Sequence, residues 1–173
     1  KLCQGRVGVN IELKYYGKER HLEKRVVETV EARGMADDVL TMSLKPEGVR
    51  KIRELRPDWK TGLLVTAAMG NLMQLDVDFL AVNANLASLA FIQKAHNHGK
   101  EVFVWTVNDP MVMATMVDRG ADSLITDEPA LAARVLQEIE QLSPPERVLL
   151  HFAGELGLLR RVHRASRARD VGV

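Results

Sequence analysis

Val102-Phe103-Val104-Trp105-Thr106 runs into Asn108-Asp109-Pro110, then Met113, Met116 and Val117, then Arg119-Gly120, and ends in Ser123-Leu124-Ile125-Thr126. The first five residues are β-branched or aromatic and predict a strand. Asp109 is placed to cap a helix and Pro110 to take its first position, where a missing N–H costs nothing. The three apolar residues after it supply an inner face, and Gly120 stops the helix by accepting a left-handed conformation. A second strand follows at once. Strand, helix and strand in so short a stretch form a parallel βαβ unit.

Read outward, the same unit repeats. Strands are predicted at Val9–Leu13, Val39–Ser43, Gly62–Val65 and Phe79–Val82. Leu22, Val26, Val27 and Val30 fall at helical spacing before Gly34; Val49, Ile52 and Leu55 do so between Pro46 and Pro57. From Ala67 to Asp76 the pattern is weak, and Met69, Leu72, Met73 and Leu75 predict only a short helix. Asn83 and Asn85 precede a helix carrying Leu89 and Ile92 that ends near Gly99. Asp127 is placed as the cap of a last helix, with Pro129 and the stripe Leu131, Val135, Ile139. Arg33-Gly34, His98-Gly99 and Arg119-Gly120 each close a helix shortly before a strand, the punctuation of a repeated αβ unit. Six strands alternating with helices fit either a (β/α)8 barrel or an open doubly wound sheet. No glycine-rich phosphate fingerprint follows any strand, which favours the barrel.

The 173 residues, 46% hydrophobic and 27% charged, suffice for one sizeable core. A net charge of +1 gives no electrostatic reason to expect nucleic acid as a partner. The single Cys3 excludes an intrachain disulfide and a zinc site built on several thiolates. These residues read as neither a signal peptide nor an apolar run long enough for a bilayer, and whatever precedes Lys1 is not seen; the compartment is unknown, with a cytoplasmic or membrane-associated location favoured. Composition shifts at Ser143-Pro144-Pro145, dividing residues 1–142 from an extension, 143–173. There Leu149, Phe152, Leu156 and Leu159 share a helical face, and Arg160, Arg161, Arg164, Arg167 and Arg169 crowd the end. Such a tail suits peripheral contact with an anionic membrane or a partner. A helix packed on the domain, followed by a solvated basic end, is the commoner outcome.

Candidate chemistry starts in Val9-Asn10-Ile11-Glu12-Leu13-Lys14. Alternation puts Val9, Ile11 and Leu13 on one face and Asn10, Glu12 and Lys14 on the other. In a parallel sheet covered on both sides, a carboxylate and an ammonium are costly unless they are paired or bind something. Self-pairing and ligand binding both remain open on this pattern. Reactive groups of a parallel barrel gather at strand carboxyl ends, where Glu12, Lys14, Ser43, Trp105 and Asn108 all fall. Ser43 is expected to cap local backbone, Asn108 to fix the turn before Asp109, and Asp127 to cap its helix. Trp105 fits either a pocket wall or the core. His21, His96, His98, His151 and His163 fall on helices or near their ends and are read as surface or packing residues.

Three motifs in order, Asn-Ile-Glu-Leu-Lys at 10–14, Val-Trp-Thr-Val-Asn at 104–108 and Gly-Ala-Asp-Ser-Leu-Ile-Thr-Asp-Glu-Pro at 120–129, resemble the glycerophosphodiester phosphodiesterases. The resemblance runs from about Gly5 to about Gln141. It implies a TIM barrel that hydrolyses small glycerophosphodiesters to glycerol 3-phosphate and an alcohol, using a divalent metal and two histidines. By that resemblance Glu12 is a ligand of Mg²⁺ or Ca²⁺, Lys14 a cation near the phosphate, and Trp105 a wall beside the glycerol. Hard cations favour carboxylate oxygen, and an ammonium offsets charge building on a phosphoryl group.

The family's His-Arg-Gly, its Glu-x-Asp and the histidine shortly after have no counterpart here. The resemblance therefore implies a partial barrel of about six of eight strand–helix units with a C-terminal helical extension. Both catalytic histidines are expected upstream of Lys1, and the chain alone is expected to be inactive. Two alternatives stand beside this. One is another phosphate-handling TIM barrel, an aldolase or isomerase with Lys14 as Schiff-base amine. The other is a noncatalytic relative that binds a phosphodiester or a membrane.

Overall fold

The computed structural model describes residues 2–16, 20–67 and 70–155. These divide into two compact units, one within residues 2–82 together with 95–101 and the other within residues 83–94 together with 102–155.

The first unit carries β1 (Val9–Leu13), α1 (Leu22–Glu31), β2 (Val39–Ser43), α2 (Pro46–Leu55), β3 (Lys60–Val65) and β4 (Phe79–Asn83). Its strands lie side by side in chain order and pair in parallel, with Glu12 opposite Met42, Met42 opposite Gly62 and Gly62 opposite Phe79. Right-handed strand–helix–strand connections give this order when each helix returns the chain to the same edge. Leu13, Val27, Val30, Ile52 and Trp59 form the core between sheet and helices, with Ile11 and Tyr15 packed against it. Ile11 and Leu13 thus face the helices, which turns Asn10 and Glu12 to the opposite side as the alternation predicted.

Polar groups join the elements where apolar contact ends. Asp78 accepts from the Arg53 guanidinium and the Thr61 backbone N–H, each at 2.7 Å, linking α2, β3 and the start of β4. The buried Lys100 ammonium donates to the carbonyls of Leu75 (2.6 Å) and Val77 (3.0 Å), holding residues 95–101 against the loop before β4.

The second unit carries most of α3 (Leu89–His96), then β5 (Glu101–Trp105), α4 (Pro110–Asp118), β6 (Ser123–Leu124), α5 (Pro129–Gln141) and α6 (Pro144–Glu155). β5 and β6 pair in parallel, Phe103 opposite Ser123. Asp109 caps α4 as expected, its carboxylate accepting from the N–H groups of Met111 (2.9 Å) and Val112 (3.1 Å). The helix stops are also as read: Gly34, Gly99 and Gly120 have φ of 61°, 70° and 86°.

Between β3 and β4 the expected short helix is a 3₁₀ turn, Leu72–Gln74, in keeping with apolar residues that lack a sustained helical period. Other expectations need correction. Leu55, expected on the inner stripe of α2, closes the helix and is 45% exposed. β6 is only two residues long, since side chains take over its hydrogen bonding beyond Ile125. Leu149 and Phe152 on α6 are exposed, whereas His151 turns the other way, its Nδ1 2.8 Å from Asp118 on α4. Leu156, Leu159, His163 and the terminal arginines lie outside the described residues. Among the described residues no helix is long and apolar enough to cross a membrane.

Candidate active site

Glu12 and Lys14 emerge on the same face at the carboxyl end of β1 and pair with each other. Lys14 Nζ lies 3.2 Å from Glu12 Oε2, with the two side chains 53% and 24% exposed. The acid is half-sheltered and its cation reaches into water, so the pair is held by a screened attraction that a stronger ligand can displace. Asn10, on the same face, approaches Met42 Sδ at 3.5 Å.

The backbone just past Lys14 is pinned. Tyr15 folds back toward the helices, and its hydroxyl donates to Glu23 at 2.8 Å. Glu23 is buried on α1, and Lys51 of α2 stands 3.5 Å from it. A methyl group on Gly48 would overlap the Tyr15 hydroxyl, so the bare backbone of α2 makes the room. The Lys45 ammonium sits 4.7 Å from the centre of the Tyr15 ring, within cation–π range. Burial opposes ionisation of Glu23, but its own backbone N–H, the Tyr15 hydroxyl and Lys51 outweigh it and hold the carboxyl below its ordinary value. Burial first, then Glu23, pushes the Tyr15 phenol well above its ordinary value. Beside Glu23, Lys51 is raised.

A carboxyl whose folded pKa is depressed adds stability above its unfolded pKa and loses it as pH falls through the folded one. Tyr15→Phe removes one donor from a buried carboxylate and is expected to cost about 2 kcal/mol at pH 7. In urea titrations the gap between wild type and variant should narrow as pH drops through the Glu23 pKa. An unchanged gap would assign the loss to packing instead.

Ser43 is fully buried at the end of β2; its hydroxyl donates to the Leu13 carbonyl (3.2 Å) and accepts from the Lys45 N–H (3.1 Å). It is the backbone tie the sequence suggested. Trp105 ends β5 half-buried, outside the set of fully buried core residues, whereas Trp59 is the tryptophan that fills a core.

Asn108 and Asp127 correct their expected roles. Asn108 does not serve the turn before Asp109, whose cap is made by Asp109 itself. It bonds the loop after β6, donating to Asp127 Oδ2 (2.8 Å) and accepting from the Thr126 hydroxyl (3.0 Å) and the Asp127 N–H (2.9 Å). Asp127 is thereby taken out of capping; Glu128 precedes Pro129 at the start of α5 without a side-chain cap bond. His21, His96 and His98 are exposed and His151 pairs with Asp118, in line with the surface reading.

Among the described residues no group of three or more His, Cys, Asp or Glu is arranged to hold a metal ion. Glu12 is a single carboxylate already facing Lys14, and a hard dication demands six or more oxygen ligands. These residues alone do not fit such an ion. An apolar cleft of about 330 Å³ bounded by Leu44, Pro46, Leu63, Val65 and Leu72 is lined by neither Glu12 nor Lys14.

Parallel strands that follow one another in chain order and alternate with helices fit the (β/α) barrel class. The chain belongs to the glycerophosphoryl diester phosphodiesterase family, which it matches over residues 7–131. It is 24% identical over 130 residues to the glycerophosphodiester phosphodiesterase of Caldanaerobacter subterraneus, covering 70% of this chain and 52% of that one. Its fold is that of a Parabacteroides distasonis glycerophosphodiester phosphodiesterase, with a TM-score of 0.72 at 23% identity over 79% of this chain and 60% of the other. An Oleispira antarctica phosphodiesterase, solved in complex with the product sn-glycerol-3-phosphate, matches with a TM-score of 0.64 at 22% identity over 75% of this chain and 55% of the other. The chain spans about half the length, or less, of the curated relatives it matches. Family membership sets the aldolase or isomerase alternative aside. Lys14 is also exposed and ion-paired, not desolvated as a Schiff-base amine requires.

Proposed function

We propose that residues 1–142 are part of a metal-dependent glycerophosphodiester phosphodiesterase barrel, with residues 143–173 an extension to it. The reaction adds water across one phosphodiester P–O bond and yields glycerol 3-phosphate and an alcohol. The observation that carries this reading is the family match across 7–131, which includes the Glu12/Lys14 pair. In this reading the Lys14 ammonium leaves Glu12 for the substrate's phosphoryl oxygens, where it offsets the charge that builds as the leaving oxygen departs. Trp105 lies against the glycerol and excludes water from it. Glu12 offers one carboxylate toward Mg²⁺ or Ca²⁺; since it cannot hold the ion alone, further ligands and the two proton-transfer groups come from outside these residues.

Glycerol 3-phosphate release from glycerophosphocholine, with Mg²⁺ or Ca²⁺ present, tests the proposal. Residues 1–173 alone are expected to be silent, and a longer form supplying two further strands ahead of Lys1 is expected to turn over. Equal activity in both would refute the dependence on outside ligands. Binding of glycerol 3-phosphate without hydrolysis by the longer form would favour a noncatalytic relative. Membrane contact through the arginine-rich end would be decided by vesicle pelleting with and without the residues after Pro145.

A further inference from the structure

The ladder between β5 and β6 contains an irregularity at Trp105. Ile125 donates its N–H to the Val104 carbonyl (2.8 Å), and its own carbonyl accepts from the N–H of Val107 (2.9 Å). In a regular parallel pair the second partner would be two residues beyond the first, at Thr106. Trp105 and Thr106 therefore stand together against Ile125 alone, a two-for-one bulge. Bulges bend a strand and re-aim a side chain, and they occur at barrel rims beside reactive sites.

A bulge interrupts the backbone ladder, and past it the Val107–Ile125 bond is followed by side-chain bonds. Those bonds come from Asn108. Its planar amide donates to Asp127 Oδ2 and accepts from the Thr126 hydroxyl and the Asp127 N–H, while the Thr126 hydroxyl accepts in turn from the Glu128 N–H (2.9 Å). These bonds join the segment that leaves β5 to the segment that leaves β6, three residues beyond the tryptophan. We infer that Asn108 is a positioning residue: it clamps the loop after β5 to the loop after β6 and so fixes the direction in which the bulged Trp105 points. Its importance to the reaction rests on the proposal that Trp105 meets substrate; the clamp itself does not.

The test reads Trp105 directly, without ligand, so failure of the phosphodiesterase reading would leave it interpretable. With 5-fluorotryptophan incorporated into the full chain, the two tryptophans give two ¹⁹F resonances, assigned by Trp105→Phe. The buried Trp59 serves as internal control. Asn108→Asp keeps both accepted bonds but loses the donated one and sets two carboxylates together. It is expected to move the Trp105 resonance and raise its solvent-isotope shift as the charge-assisted bond is lost, with Trp59 unmoved.

Combining Asn108→Asp with Asp127→Asn exchanges amide and carboxylate, restores the donor–acceptor match and is expected to return Trp105 to its wild-type position. Should Asn108→Asp not fold, Thr126→Val removes one hydroxyl and is expected to produce a smaller shift of the same sign. A Trp105 resonance that stays put in these variants would overturn the assignment. So would tryptophan resonances that move together, or an exchanged pair that fails to restore the signal.

Discussion

Gly62→Ala is expected to destabilise the first unit by about 3 kcal/mol, at the upper end of what overpacking a core costs. Gly62 lies opposite Phe79 in the β3–β4 register, and a Cβ on it would overlap three carbons of the Phe79 ring. That ring is fully buried and sits on a neighbouring strand, so neither partner can withdraw without moving backbone. A smaller side chain at the second position should relieve the conflict: Phe79→Leu in the Gly62→Ala background is expected to recover much of the loss, although Phe79→Leu alone leaves a cavity. Denaturant titration of the four proteins measures this coupling. Additive losses would mean that the glycine is needed for its backbone and not for the space it leaves.

The sequence made this fold legible wherever the determinant was local. Asp109-Pro110 and Gly120 bracket α4 by chemistry confined to each end of the helix, and the structure follows them. The alternation at 9–13 told which side chains meet the helices, and placed Glu12 and Lys14 on one face. Where partners are distant, local reading failed. Asn108 looked like a turn residue because its real partners, Thr126 and Asp127, lie 18 and 19 positions away.

Asp127 looked like a cap because the residue type and the following proline suited one, yet a stronger set of bonds had claimed it. Glu23 could have been found. It falls on the same helical face as Val27 and Val30, and an acid inside an apolar stripe signals a buried partner, here Tyr15. The expectation of a metal came only from family resemblance, because one carboxylate defines no coordination sphere.

Glu12 carries the second large effect. Its shelter is partial and its present partner is a lysine two residues away, so its removal should cost the fold little. In the proposed reading the consequence appears instead in the reaction, where Glu12 is offered toward the metal and the Lys14 it releases meets the phosphoryl oxygens. Glu12→Gln preserves shape and removes only the charge. The most direct measurement is the rate of glycerol 3-phosphate release from glycerophosphocholine by the longer form in Mg²⁺ or Ca²⁺, wild type against Glu12→Gln, with unfolding midpoints recorded for both. The expected result is a fall of about 10²–10³-fold in kcat/KM at an almost unchanged midpoint, the scale for losing a charged group at a reacting centre. A variant that turns over at the wild-type rate would contradict the placing of Glu12 at the reactive centre.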